Sequence, residues 1–168
     1  MIDPTIKIEV IIAATAVFIS VISLFVAIWT LRTQQKHNRL SVKPIAHLSY
    51  GDYLDQIFVE FKNRGIGPLL VDRFRVYRNG QEYNELVCAV DNLPEEVVWD
   101  TFTGPLDGAV LTPNQSFSLV KISFKTDQHE LRDAIRKSLS TAEIVIYYKS
   151  IYEEQQPIKR KSLSWFAR

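Results

Sequence analysis

Hydrophobic and polar positions follow two different periods along this chain, and the change falls near residue 41. Val10 to Leu31 is a run of 22 residues without a charge. At 1.5 Å per residue, a helix of that length is about 33 Å long, enough for a hydrocarbon layer roughly 30 Å thick. The pattern predicts one transmembrane helix over 10–31, preceded by a short outer tail, 1–9. A helical juxtamembrane linker, 32–41, follows, in which TQQKHNRL continues the helix until Pro44 rules out a helical interior. A cleaved signal peptide is the rival reading, but its apolar region usually runs about 7 to 15 residues behind a basic leader. Here the run is longer, and Asp3 and Glu9 accompany Lys7 ahead of it.

Beyond Ser41 the period shortens to alternation, with turn residues between short runs. VKPIAHL, QIFVEFKN, LLVDRFRVYRN, SFSLVKISF, AEIVIYYKSIY and KRKSLSWF are expected as strands. Asn79-Gly80, between RFRVYR and QEY, is a two-residue hairpin signal, because both turn positions need positive φ. One amphipathic helix is expected over 127–139, where Leu131, Ile135 and Leu139 recur at helical spacing and Asp127 serves as the cap. VDNLPEEVVWDTFTGPLDG reads as a loop holding a short strand or helical turn. These elements predict an immunoglobulin-like β-sandwich with one inserted helix over 42–168, with a partly closed barrel as the alternative.

The apolar helix is not uniform around its axis. Glu9, Ala13, Ala16, Ser20, Ser23, Ala27, Thr30 and Gln34 follow one another at alternating steps of four and three, the seam of a left-handed heptad. Every position on it is small or polar. Ile12, Phe18, Ile22, Leu24, Phe25, Ile28 and Trp29 cover the other faces, with Ala14 and Thr15 as exceptions. Lipid tails are as apolar as leucine, so membrane helices associate by close packing and by hydrogen bonds between small or hydroxylated side chains. The seam is therefore expected to be an association surface. With one such helix per chain, the nearest partner is another copy. In a dry bundle the seam is packing; in a tetramer or higher oligomer it lines a narrow wet path, with Glu9 as an acidic ring at the outer mouth and Gln34 as an amide ring inside.

Charge sets the orientation. Lys7 stands alone before the helix, whereas Arg32, Lys36, Arg39 and Lys43 follow it, and cytoplasmic flanks retain basic residues. The expectation is a single-pass membrane protein, N-terminus outside, large domain in the cytosol. Without the first 41 residues, 16 basic and 17 acidic residues remain, a balance unsuited to duplex nucleic acid. Cys88 is the only cysteine, and His37, His47 and His129 have no metal-ligand spacing. No G-x-S-x-G, H-E-x-x-H or Walker pattern occurs, so neither an enzyme, a metal nor a cofactor is expected.

One strand carries candidate ligand chemistry. Alternation along LLVDRFRVYRN places Leu70, Phe74 and Val76 on one face and Arg73, Arg75 and Tyr77 on the other. Two guanidinium groups beside a phenol ring can hold phosphates and stack a base, as single-strand nucleic-acid sites do; the alternative is a solvated sheet face balanced by nearby carboxylates. The basic run Lys159, Arg160, Lys161 reads as a solvated strand end, and Trp165 as a core residue.

Asn63-Arg64-Gly65-Ile66-Gly67-Pro68 follows a strand, and IVIYYKSIYEEQ comes later. With this N-x-G-x-G-P motif the chain resembles, over most of its length, a group of small bacterial proteins with one N-terminal membrane helix and a cytosolic β-sandwich. In physical terms the motif reads as a tight turn, its glycines permitting positive φ, rather than a phosphate loop, because no lysine or helix start follows. The architecture is also similar to that of small membrane effectors of bacterial anti-phage systems, the Hailong type among them. That resemblance implies a pore-forming effector in the inner (cytoplasmic) membrane of a bacterium, controlled by a nucleotide or single-stranded oligonucleotide signal. A passive membrane-anchored interaction module is the alternative.

Overall fold

The computed structural model describes residues 4–90, 97–125 and 128–167. The chain divides between Ser41 and Val42 into two compact units. The first is a single helix, α1 (Pro4–Ser41), with no buried residue among those whose side chains are described. It contains the one helix among the described residues that is long and apolar enough to cross a membrane.

The second unit is a β-sandwich. Its first sheet has the order β1 (Ala46–Asp52), β2 (Gln56–Asn63), β7 (Ser116–Ser123) and β5 (Thr101–Phe102). The second has the order β4 (Gln81–Tyr83), β3 (Leu69–Arg78), β8 (Ala142–Lys149) and β9 (Lys159–Ser162), while β6 (Val110–Leu111) pairs with the start of β3. All pairings are antiparallel, and the sheets do not close into a barrel. Leu48, Ile57, Val59 and Phe61 of the first sheet meet Val71, Phe74, Val76, Ile144 and Ile146 of the second in one core. Burying side chains of this size contributes roughly 1.5–3 kcal/mol each.

Helices close the remaining gaps. A short α2 (Leu86–Ala89) buries Leu86 and Ala89. The amphipathic α3 (His129–Ser140) buries Ile135 and Leu139 against the core. Arg132 and Arg136 clamp α3 to Asp52 at the far end of β1, at 2.6 and 3.2 Å. The proposed cap Asp127 lies outside the described residues; Gln128 occupies the cap position without a side-chain cap bond. After β9 a 3-10 turn, Ser164–Ala167, buries Phe166.

Two strand boundaries differ from the periodicity. The expected first strand begins four residues late, at Ala46, because Pro44 removes a donor from the ladder. KRKSLSWF is only half strand: β9 ends at Ser162 and the aromatic pair enters the 3-10 turn. The Asn79-Gly80 hairpin forms with φ of 50° and 79°, the positive values that a two-residue turn requires. Within VDNLPEEVVWDTFTGPLDG, residues 91–96 lie outside the described residues, and Thr101–Phe102 forms the short strand β5.

The N-x-G-x-G-P turn follows β2 and seats the chain where it enters this unit. Asn63, fully buried, accepts from the Gly65 and Ile45 amides at 2.9 and 3.3 Å and donates to the Gly67 and Leu111 carbonyls at 2.8 and 3.1 Å. Neither Gly65 nor Gly67 has positive φ, which corrects the reading from turn geometry. A Cβ at Gly65 would strike the backbone of Lys43 and Ile45, and one at Gly67 the backbone of Val42. The glycines are there for close approach of two backbones.

Candidate functional site

The seam on α1 is built by helix geometry alone. Glu9, Ala13, Ala16, Ser20, Ser23, Ala27, Thr30 and Gln34 all lie within the unbroken helix Pro4–Ser41 and are exposed. Ser20 Oγ donates to the Ala16 carbonyl, Ser23 Oγ to Ile19 and Thr30 Oγ1 to Val26, each at 2.8 Å. Thr15, off the seam, does the same to Ile11. Each hydroxyl proton is therefore satisfied inside its own helix, and each oxygen keeps its lone pairs on the surface. A helix so arranged enters lipid with no unpaired donor at these positions. A straight helix drifts about 20° per heptad from a 3.5-residue repeat, so keeping the seam against a partner requires a left-handed supercoil.

On β3 the structure brings Arg73, Arg75 and Tyr77 to one face, but the parity behind the prediction is only half kept. A bulge between Val71 and Arg73 inserts Asp72 and reverses the alternation. Leu69 and Val71 are buried before it, Phe74 and Val76 after it. Leu70, expected beside Phe74 and Val76, is half-buried and out of phase with them. The bulge is held by the segment before β6: Gly108 N–H donates to the Val71 carbonyl, and the Val71 amide to the Ala109 carbonyl, both at 2.9 Å.

That segment also carries Asp107, whose Oδ1 accepts from the buried Phe74 amide at 2.7 Å. Arg75 donates to Asp107 at 2.8 Å and, on its other side, to Glu82 at 2.8 Å. Burial pushes the Asp107 carboxyl up, but the Phe74 amide and the Arg75 guanidinium outweigh it and hold the pKa below the usual range. The hydrogen bond to Asp107 correspondingly raises Arg75. The Tyr77 phenol is raised chiefly by its hydrogen bond to Glu82. Arg73 lies 5.9 Å from the centre of the Tyr147 ring. The face is thus assembled, but Arg75 is matched by two carboxylates and its charge is directed inward, to the bulge. Asp107 is 32 residues from Arg75, so no local pattern announces it.

The described residues contain no group of His, Cys, Asp and Glu placed to hold a metal ion. Cys88 is exposed and unpaired with another cysteine, and burial with the nearby Glu85 raises its thiol pKa, opposite to an activated nucleophile.

Fold and site define an apolar, membrane-length helix joined to an antiparallel β-sandwich. No protein-family model matches the chain, and no curated protein matches it in sequence.

Proposed function

We propose that the chain is a homo-oligomeric, single-pass membrane effector. Copies of α1 associate along the Glu9–Gln34 seam into a bundle of four or more helices around a narrow ion-conducting path. The β-sandwich lies in the cytosol and senses a ligand whose differential affinity for two arrangements of the bundle opens or closes it. The observation that carries this reading is the seam itself: small and hydroxylated residues held in heptad phase from Glu9 to Gln34 on an otherwise bulky apolar helix. The back-bonded Ser20, Ser23 and Thr30 support it, because their outward lone pairs offer acceptors to water or a cation. The basic residues Arg32, Lys36, Arg39 and Lys43 after the span favour a cytosolic domain, and the resemblance supplies a bacterial inner membrane. Nucleotide- or oligonucleotide-regulated anti-phage defence, as in Hailong-type systems, is the setting that the resemblance supplies.

One observation favours a second reading, a passive membrane-anchored interaction module. The same back-bonds leave no seam hydroxyl in need of a partner, so a dry dimer is self-consistent. Ion flux across proteoliposomes separates the two. The effector reading expects a flux that is lost in Ser20→Leu/Ser23→Leu; no flux with any nucleotide or oligonucleotide added on the domain side leaves the passive module.

A further inference from the structure

Turn tips are ordinarily polar or glycine-rich, yet two tips at one end of the sandwich carry large exposed apolar side chains. Ile66, in the turn from β2 to β3, is 75% exposed, and Ile151 and Tyr152, in the turn after β8, are 55% and 48% exposed. The second turn is closed by the Ser150 amide on the Glu154 carbonyl and the Glu153 amide on the Ser150 carbonyl, at 3.0 and 2.9 Å. Strand register places both tips at the same end. β3 begins at Leu69, just after Ile66, and Leu70 stands opposite Lys149, the last residue of β8. On its other side Leu70 stands opposite Val110, which is also exposed.

The chain enters the sandwich at this end. Ala46, the first residue of β1, stands opposite Asn63, the last of β2. The backbone of Val42 to Ile45 passes directly against Gly65 and Gly67, on either side of Ile66, and the Ile45 side chain is exposed. At the opposite end the turn from β1 to β2 exposes Leu54, while its neighbour Tyr53 stacks on Phe58 at 6.0 Å. A single exposed leucine is ordinary, whereas apolar residues from several segments gathered at one end mark a surface that meets something.

Connectivity says what that is. α1 stays helical to Ser41, so residues 32–41 add about 15 Å of helix between the end of the apolar run at Leu31 and Val42. Every copy therefore holds this end within that reach of the hydrocarbon edge, and a tethered surface meets its partner at high effective concentration. Lys43 and Arg64 beside the isoleucines are balanced by Glu153 and Glu154 after Tyr152. The attraction is then apolar contact rather than lipid charge. Isoleucine suits the acyl boundary, and an amphipathic tyrosine suits the headgroup level.

We infer that the entry end of the sandwich docks on the lipid surface, with Ile66, Ile151 and Tyr152 seated at the headgroup boundary and Ile45 and Val110 at the margin. This rests on α1 spanning a membrane.

Full-length protein carrying Cys88→Ser is given one cysteine at a time, by Ile66→Cys, Ile151→Cys, Leu54→Cys or Ile22→Cys. Each is nitroxide-labelled in phosphatidylcholine nanodiscs, and power saturation compares collision with oxygen, which concentrates in lipid, and with a water-soluble nickel chelate. Docking predicts an oxygen-to-nickel ratio at positions 66 and 151 several-fold above that at 54, the tip at the opposite end. The two entry tips are labelled separately, so misfolding of one variant leaves the other as the test. Ratios at 66 and 151 equal to that at 54 overturn the docking. Spectral broadening at 66 and 151 without oxygen preference places a second copy there and overturns it as well. Position 22 separates the two failures: a high ratio there keeps the span while the docking falls, and a low ratio removes both.

Discussion

Asn63 commits both acceptor and both donor positions of its amide to four backbone groups from three segments of the chain. Asn63→Ala leaves those groups unpaired in a site closed to water and is expected to cost about 3 kcal/mol, read as a lowered urea midpoint. Asn63→Asp should do no better, since it loses both donors and buries a charge. Asp107 is the second such residue, holding the Phe74 amide and Arg75 at the bulge. Asp107→Ala is expected to cost about 1–3 kcal/mol by orphaning the Phe74 amide. The sign of the pH effect follows from the lowered pKa of Asp107. Its contribution is present above the ordinary carboxylate pKa, near 3.9, and is lost as pH falls through the lower folded value. Stability measured from pH 6 downward should therefore fall less steeply in Asp107→Asn than in the parent below about pH 4.

At the scale of elements, the seam of α1 makes a distinction that mutation can test. Because the hydroxyls of Ser20 and Ser23 are bonded within the helix, the proposed bundle is expected to be held by close packing rather than by cross-helix hydrogen bonds. Ser20→Ala/Ser23→Ala should keep the oligomer, whereas Ser20→Leu/Ser23→Leu should dissolve it; cross-linking yield in membranes reads both. Loss of the oligomer in the alanine variant would mean that the hydroxyls bridge helices. The strands show where periodicity suffices. QIFVEFKN matches β2 residue for residue, since nothing interrupts its alternation. β3 has the expected extent but not the expected phase before Arg73, because a bulge is made by the distant segment 107–109 and not by the strand's own residues. The same distance hid Asp107 as a partner of Arg75, whereas Glu82 lies just across the Asn79-Gly80 hairpin.

For the whole molecule, the membrane-length helix ends at Ser41 and the sandwich begins at Val42. Val42 to Ile45 is the segment by which the chain enters the sandwich, and its backbone packs closely against Gly65 and Gly67. Gly67→Ala forces this segment away from the turn, so it should lower the thermal midpoint of the sandwich while leaving the seam sequence untouched. The proposed function depends on self-association of α1 along its small-residue seam into a bundle large enough to enclose a path. Native mass spectrometry of the full-length protein released from lipid nanodiscs tests it most directly. Four or more copies are expected for the parent chain, with collapse of that species in Ser20→Leu/Ser23→Leu; a parent chain that is monomeric or dimeric would overturn the proposed bundle.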